Sequence, residues 1–251
     1  MPTELVHLDV ADGVATITLD SEHNRNALSR QLVTELGERL DAAAADDSAR
    51  IVLVRSAHRV FCSGADLSEA ADGGMADGAR AIVAMQRQIA TLPKPVVVAL
   101  AGPVRAGGLG IVGAADVVLA AESVTFALTE VRLALAPAVI SLTLLERFTS
   151  RTAADLFLSG RTFDAVEAAA AGLVTLAVPD DRLEETLTAM LGELAQGYPQ
   201  GLRETKALLN HDLVARIDAL GEQVAEQSAR LFGSDEARDA MLTFLQRKKQ
   251  G

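Results

Sequence analysis

The residues best placed to do chemistry form a Gly-rich turn from Gly102 to Gly110, in which Gly107 and Gly108 directly precede a short apolar run. If that run opens a helix, its first N–H groups have no intrahelical partner. Helped by the positive end of the helix dipole, they suit an oxygen that is gaining negative charge. Glycine lets such a backbone approach a ligand because no Cβ intervenes. On spacing alone, the turn serves equally well as a tight packing contact between helix and strand. Gly108-Leu109-Gly110-Ile111-Val112-Gly113 also has the spacing of a dinucleotide-binding fingerprint. That fingerprint follows its strand at once and needs a full helix before the next one. Here only Ala114, Ala115 and Asp116 separate Gly113 from the strand-like Val117-Val118-Leu119, and the first glycine lies some eight residues beyond the preceding strand. A nicotinamide or flavin site is therefore not expected. The chain has no Gly-Lys-Ser or Gly-Lys-Thr for a nucleotide phosphate and no Gly-x-Ser-x-Gly nucleophile elbow.

Other reactive side chains are sparse. His7, His23, His58 and His211 are scattered with no metal-ligand spacing, and Cys62 is the only cysteine. One thiol makes no intrachain disulfide and no thiolate metal cage. Without a neighbouring basic cluster to lower its pKa, Cys62 reads as a small buried thiol.

The elements that must position the turn follow from periodicity. Leu5 to Val10 and Val14 to Leu19 alternate around Asp12-Gly13, a hairpin signal. Leu28, Leu32, Leu36 and Leu40 recur at helical spacing with Ser29 as N-cap. A strand at Ile51 to Val54 leads into a loop through Phe61 to Leu67, then a soft Ala, Asp and Gly stretch to about Gly78. A helix near Ala79 to Ala90 and a strand at Pro95 to Leu100 precede the Gly-rich turn. Short strands are expected at Val117 to Leu119, Val124 to Ala127 and Leu173 to Val178. Beyond Asp180 the chain reads as helical, with Leu183, Leu187, Leu191 and Leu194 in one stripe and further helices over Leu202 to Arg247. Strands alternating with helices predict an α/β fold, with residues 1–196 as the core and 197–251 as a C-terminal helical region.

Composition narrows the classes of function. The 251 residues are 49% hydrophobic and carry a net charge of −11, with no Trp and one Tyr, so neither the basic stripe nor the stacking platforms of a nucleic-acid binder are present. No apolar run reaches the roughly 18 residues of a membrane span, and the acidic Met1-Pro2-Thr3-Glu4 start does not read as a secretion signal. A cytoplasmic protein with no membrane and no nucleic-acid partner is expected.

Read together, separated segments resemble the crotonase (enoyl-CoA hydratase/isomerase) superfamily. Arg25-Asn26-Ala27-Leu28-Ser29 is similar to its early coenzyme A-contacting segment. Phe61-Cys62-Ser63-Gly64-Ala65-Asp66-Leu67 resembles its Gly-Ala-Asp loop, and Lys94 through Asp116 its strand, Gly-rich turn and helix. Phe126-Ala127-Leu128-Thr129-Glu130 with Pro137 resembles the catalytic loop, and Ser159-Gly160-Arg161 with Ala168 to Val174 the segment after it. Phe244 with Arg247-Lys248 resembles the terminal helix that reaches coenzyme A, often that of a neighbouring subunit. The resemblance runs nearly end to end. It implies a ββα spiral core, an acyl-CoA thioester as substrate, no metal and no cofactor beyond the coenzyme A of the substrate. It also implies a homotrimer or dimer of trimers built through the C-terminal helices.

Carried over residue by residue, the resemblance places the oxyanion amides on Ala65 and Gly107 and the proton-transfer group on Glu130. It places coenzyme A or substrate contacts on Arg25, Ala27, Ser63, Ala65, Asp66, Leu67, Ser68, Gly107, Leu133, Phe244 and Lys248. Arg25, Arg247 and Lys248 meet phosphates, or are solvated surface cations. Asp66 is expected to fix its own loop. Many hydratases of the family carry a second glutamate on the helix after the Gly-rich turn; that position here is Gly110. One carboxylate can serve hydration of a 2-enoyl thioester if its two oxygens act in sequence, and it also suffices for 3-enoyl to 2-enoyl isomerisation. The stretch Glu130 to Ser141 further resembles hydratases of branched glutaconyl-type thioesters. Hydratase is the first reading; the isomerase and a catalytically idle acyl-CoA binder are the alternatives. A mostly apolar pocket should raise the pKa of Glu130. Whether Arg105 or Arg132 meets an acidic acyl tail, and whether Met75 lines the acyl pocket, stays open.

Overall fold

The structure is a computed structural model that describes the backbone of residues 3–69 and 75–250, and side chains over those ranges except at residues 75 and 244–250. A hairpin, β1 (Val6–Ala11) and β2 (Val14–Leu19), opens the fold. Its turn places Asp12 and Gly13 at φ 50° and 81°, the paired left-handed conformation that the Asp-Gly dipeptide favours. The main sheet has six strands in the order β1-β2-β3-β4-β6-β9, with β3 (Ile51–Ser56), β4 (Val96–Leu100), β6 (Val117–Ala121) and β9 (Leu176–Val178). Every pairing after the hairpin is parallel. The strands β3 and β4 are nearly continuous aliphatic runs, as a sheet covered on both faces requires. A second sheet of three short strands, β5 (Val104–Arg105), β7 (Thr125–Ala127) and β8 (Thr162–Asp164), lies beside it.

Helix α1 (Arg30–Ala45) is capped as its sequence predicts: Ser29 accepts from the Leu32 N–H at 3.2 Å, and Leu32, Leu36, Leu40 and Ala43 are buried. Helix α2 (Met75–Thr91) starts earlier than its apolar spacing indicated. The short α3 (Gly108–Ala114) is buried at every position. Helices α4 (Ser141–Arg147), α5 (Ser150–Ser159) and α6 (Ala165–Ala170) precede β9. The expected strand at Leu173 to Val178 is half as long as its composition implied. Leu173 and Val174 donate to the Ala168 carbonyl and close α6, with Gly172 at φ 91°, so pairing begins only at Leu176. β5 and β8 were not foreseen, being too short to show alternation.

The tail comprises α7 (Leu183–Leu194), α8 (Pro199–Leu209), α9 (His211–Phe232) and α10 (Asp235–Gln250). Helix α9 lies on α2 through Leu213, Ile217 and Val83, and α10 folds back against the turn at Thr129–Leu133. Exposed pairs such as Arg80–Glu222 and Arg87–Asp218 flank the α2–α9 contact and add little. One pair is largely buried. Lys206 of α8, 5% exposed, sits 2.7 Å from Asp116 and donates to the Ile89 and Lys94 carbonyls, while Asn210 donates to the other Asp116 oxygen. Breaking one side of such a pair leaves a buried charge without its partner, so Asp116→Ala should lower stability by about 3–5 kcal/mol. The measurement is the shift in denaturant midpoint; an unchanged midpoint contradicts this assignment.

Candidate active site

Three loops leave the carboxyl ends of β3, β4 and β7 and meet at one side of the sheets, where open α/β folds place their ligands. The loop after β3 carries Ser63, Ala65, Asp66 and Leu67. The turn after β5, which continues β4, carries Ala106 and Gly107. The segment after β7 is a 3-10 turn, Thr129–Leu133, carrying Glu130. All seven of these residues line a single cavity of about 410 Å³, which Leu133 also lines.

Two backbone amides border it. Leu28 donates to the Gly64 carbonyl at 2.8 Å and Asp66 donates to the Leu28 carbonyl at 3.5 Å, forming a parallel bridge around Ala65. Peptide groups alternate in direction along such a bridge, so the Ala65 N–H faces away from Leu28. Ala106 is held at φ 46°, its N–H bonded to the Ala127 carbonyl, and this rare conformation turns the next peptide, that of Gly107. Among the described residues, neither the Ala65 nor the Gly107 N–H has an acceptor. They are neighbours: a Cβ placed on Gly107 would stand 3.5 Å from the Ala65 nitrogen. The close packing rests on Gly64, whose φ of 98° and approach to Ala106 exclude a side chain.

Glu130 supplies the titratable group. Its carbonyl accepts from Ala134 and Leu135, which closes the 3-10 turn and fixes the residue. The Oε2 atom is buried with no hydrogen-bond partner. Burial raises the carboxyl pKa to about 7, its own backbone N–H offsetting only part of the effect. The sign of the stability effect follows. The folded state holds this proton more tightly than the unfolded chain, so Glu130 costs stability as pH rises from about 4.5 towards 7, and the full cost persists above. Glu130→Gln should match the native protein in stability near pH 4.5 and exceed it by about 2–3 kcal/mol at pH 8. Denaturation curves at the two pH values check this; an equal difference at both contradicts the buried, unpaired carboxylate.

Asp66 holds its own loop: it accepts from the Ser68 N–H and hydroxyl at 3.0 and 2.6 Å and from Asn24 at 3.0 Å. Burial pushes its pKa up, but these bonds outweigh burial and keep it below the usual carboxylate range. Three residues expected to contact ligand do not line the cavity. Arg25 is exposed at the end of a 3-10 turn, Ala27 is packed in the core, and the Ser68 hydroxyl is taken by Asp66. Phe244, Arg247 and Lys248 fall on α10 where side chains lie outside the described residues, as does the Met75 side chain. Arg105 is bound to the Val104 and Thr125 carbonyls, and neither it nor the exposed Arg132 lines the cavity. Cys62 is fully buried and its thiol is pushed up to about 12 by burial, so it is inert.

Sequence reasoning missed part of the wall. Arg30, the only cation among the described lining residues, follows the α1 cap. Gly78, Ala81 and Ile82 share one face of α2, and Ser228 and Phe232 one face of α9. Helical spacing puts each set on one side of its helix, but these residues are exposed or half-buried and carry no signal of a cavity. No cluster of three or more His, Cys, Asp or Glu able to hold a metal occurs among the described residues, and no described helix is long and apolar enough to cross a membrane.

The model of one family, enoyl-CoA hydratase/isomerase, matches residues 9–251. The crystal structure of an enoyl-CoA hydratase from Mycobacterium avium superposes with a TM-score of 0.91 at 42% identity, over 98% of this chain and 97% of that one. A second, from Mycobacterium avium subsp. paratuberculosis K-10, gives 0.87 at 28% identity, over 98% and 97%. A Thermus thermophilus protein provisionally named an enoyl-CoA hydratase is 34% identical over 202 residues, 78% of this chain and 80% of its own length. The fold is the α/β crotonase fold of these structures.

Proposed function

Because the chain belongs to the enoyl-CoA hydratase/isomerase family, we propose that it adds water across the 2,3 double bond of an enoyl-CoA thioester, with Glu130 as its single proton-transfer group. The observation that carries this reading is one cavity lined by a carboxyl group whose Oε2 is buried without a hydrogen-bond partner and by two adjacent amides that have no acceptor among the described residues. The thioester oxygen is read as seated on the Ala65 and Gly107 N–H groups. One Glu130 oxygen takes a proton from water as the water oxygen bonds to C3. The electron pair of the double bond moves through C2 to the thioester oxygen, giving an enolate that the two amides stabilise. The protonated carboxyl then gives its proton to C2, and the charge leaves the thioester oxygen. A pKa near 7 suits a group that must accept and return a proton near neutrality. Coenzyme A enters only as part of the substrate, and a trimer or dimer of trimers, built through α8–α10, is the assembly the resemblance implies.

One observation favours a second reading. The position of the second glutamate of many hydratases, Gly110, is covered: a Cβ there would lie 3.1 Å from Ile140 Cγ2 and 3.2 Å from the Gln86 carboxamide. Even a Cβ at residue 110 needs these neighbours to shift by a few tenths of an ångström, so Gly110→Glu would carry a packing strain that works against a two-acid site. A lone carboxylate also serves isomerisation, taking a proton from C2 of a 3-enoyl thioester and returning it at C4. The product decides: a gain of one water on 2-enoyl substrates supports the hydratase, and a shifted double bond without mass change supports the isomerase. Binding without either reaction leaves the idle acyl-CoA binder.

A further inference from the structure

We propose that Gln86 and Thr143 form a buried latch that fixes the acyl-contacting wall of the cavity and so determines which acyl groups it accepts. The inference rests on the acyl-CoA reading of the cavity. Both side chains are fully buried, on α2 and α4, and neither lines the cavity itself. The Gln86 Nε2 donates to the carbonyl of Val139 at 3.2 Å and to that of Ile82 at 3.3 Å, and its Oε1 accepts from the Thr143 hydroxyl at 2.9 Å. Ile82, Val139 and Ile140 all line the cavity. Thr143 also reaches the Ile140 carbonyl at 3.3 Å.

The latch accounts for glycines that imitate a nucleotide fingerprint. Gly110 lies under the Gln86 carboxamide, and a Cβ on Gly113 would come within 2.6 Å of the Thr143 hydroxyl oxygen. Helix α3, whose N-cap residue is Gly107, therefore packs directly against the latch. A carboxamide with both its oxygen and nitrogen engaged in a dry interior holds one orientation, because rotating it leaves buried polar atoms unpaired. Gln86 thereby ties the Val139 carbonyl to α2 and, through Thr143, to α4, and Thr143 in turn bonds the Ile140 carbonyl. An apolar residue at 86 fills the space but releases the Val139 carbonyl, and one at 143 releases the Ile140 carbonyl and leaves the Gln86 oxygen without its donor.

The test uses the full chain, binding of free coenzyme A and of saturated acyl-CoA thioesters of graded length by calorimetry, and thermal melting. The variants are Gln86→Leu, Thr143→Val and Thr143→Ser. Expected are a length preference in the native protein and its loss in Thr143→Val and Gln86→Leu. Their affinity for the best acyl-CoA should fall about tenfold, the scale of one lost buried hydrogen bond, with less than about a twofold change for free coenzyme A. Thr143→Ser, which keeps the hydroxyl, should keep the native profile. Thr143→Val alters only one group and remains informative if Gln86→Leu does not fold. An unchanged length profile in folded Thr143→Val, or an equal loss for coenzyme A and every thioester, overturns the latch while leaving the acyl-CoA reading intact. A native protein that binds no acyl-CoA overturns that reading, and the latch with it.

Discussion

Glu130→Gln should bind saturated acyl-CoA as tightly as the native protein and turn over enoyl-CoA about 10²–10⁴ times more slowly, the range of a lost general acid–base group. The substitution keeps shape and volume and removes only the ability to take a proton. The other described carboxylates that line the cavity are engaged, Asp77 by Arg80 at 3.2 Å. Asp66 is tied to Ser68 and Asn24, and Glu69 caps α1 by accepting from the Arg30 N–H. The split is the informative part: kcat falls and binding does not. Residual turnover within a few-fold of native would mean that the proton moves elsewhere, whatever the burial of Glu130.

Gly107→Pro should cost about 100- to 1000-fold in kcat, near 3 kcal/mol of barrier, for the loss of one oxyanion donor. Gly107 sits at φ −50°, which proline adopts, so the ring does not by its own φ break the turn. It replaces the N–H with a carbon in the cavity. The companion Gly107→Ala keeps the N–H and adds only a Cβ, which would lie 3.1 Å from the end of the Leu28 side chain, a group able to move. Alanine should therefore stay within about tenfold of native while proline does not, since crowding of this kind is tolerated far better than a missing donor. Equal losses in the two variants would make Gly107 a packing residue. A thermal melt of each separates a failed fold from a failed reaction.

How much of this was legible in the sequence depends on whether the signal was local. The Asp12-Gly13 hairpin, the Ser29 cap and the Leu32, Leu36, Leu40 part of the stripe are decided by neighbours a few residues apart and stand as read. Leu28, read into the same stripe, lies before the cap and bridges to Ala65. The strand ending at Val178 was read too long because Leu173 and Val174 are apolar whether they pair in a sheet or close a helix. β5 was invisible, since two residues show no period and their partner in β7 is some twenty positions away. The site divides in the same way. Ser63, Ala65, Asp66, Gly107 and Glu130 were named from a resemblance, and the loops bring them together at the cavity. Nothing in residue type said that Ser228 and Phe232 on α9 would border the same space, or that Gly110 would lie beneath Gln86. Those facts belong to the packing of α2, α3 and α9 against one another, which no local spacing records.

The most direct test of the account is a panel of 2-enoyl-CoA thioesters, straight and branched, incubated in oxygen-18 water with the native protein and with Glu130→Gln, the products weighed by mass spectrometry. The account predicts products heavier by one labelled water with the native protein and almost none with the variant. Unchanged thioesters with the native protein, while those same thioesters bind to it, would contradict hydration. Equal labelling by both proteins would contradict the role of Glu130.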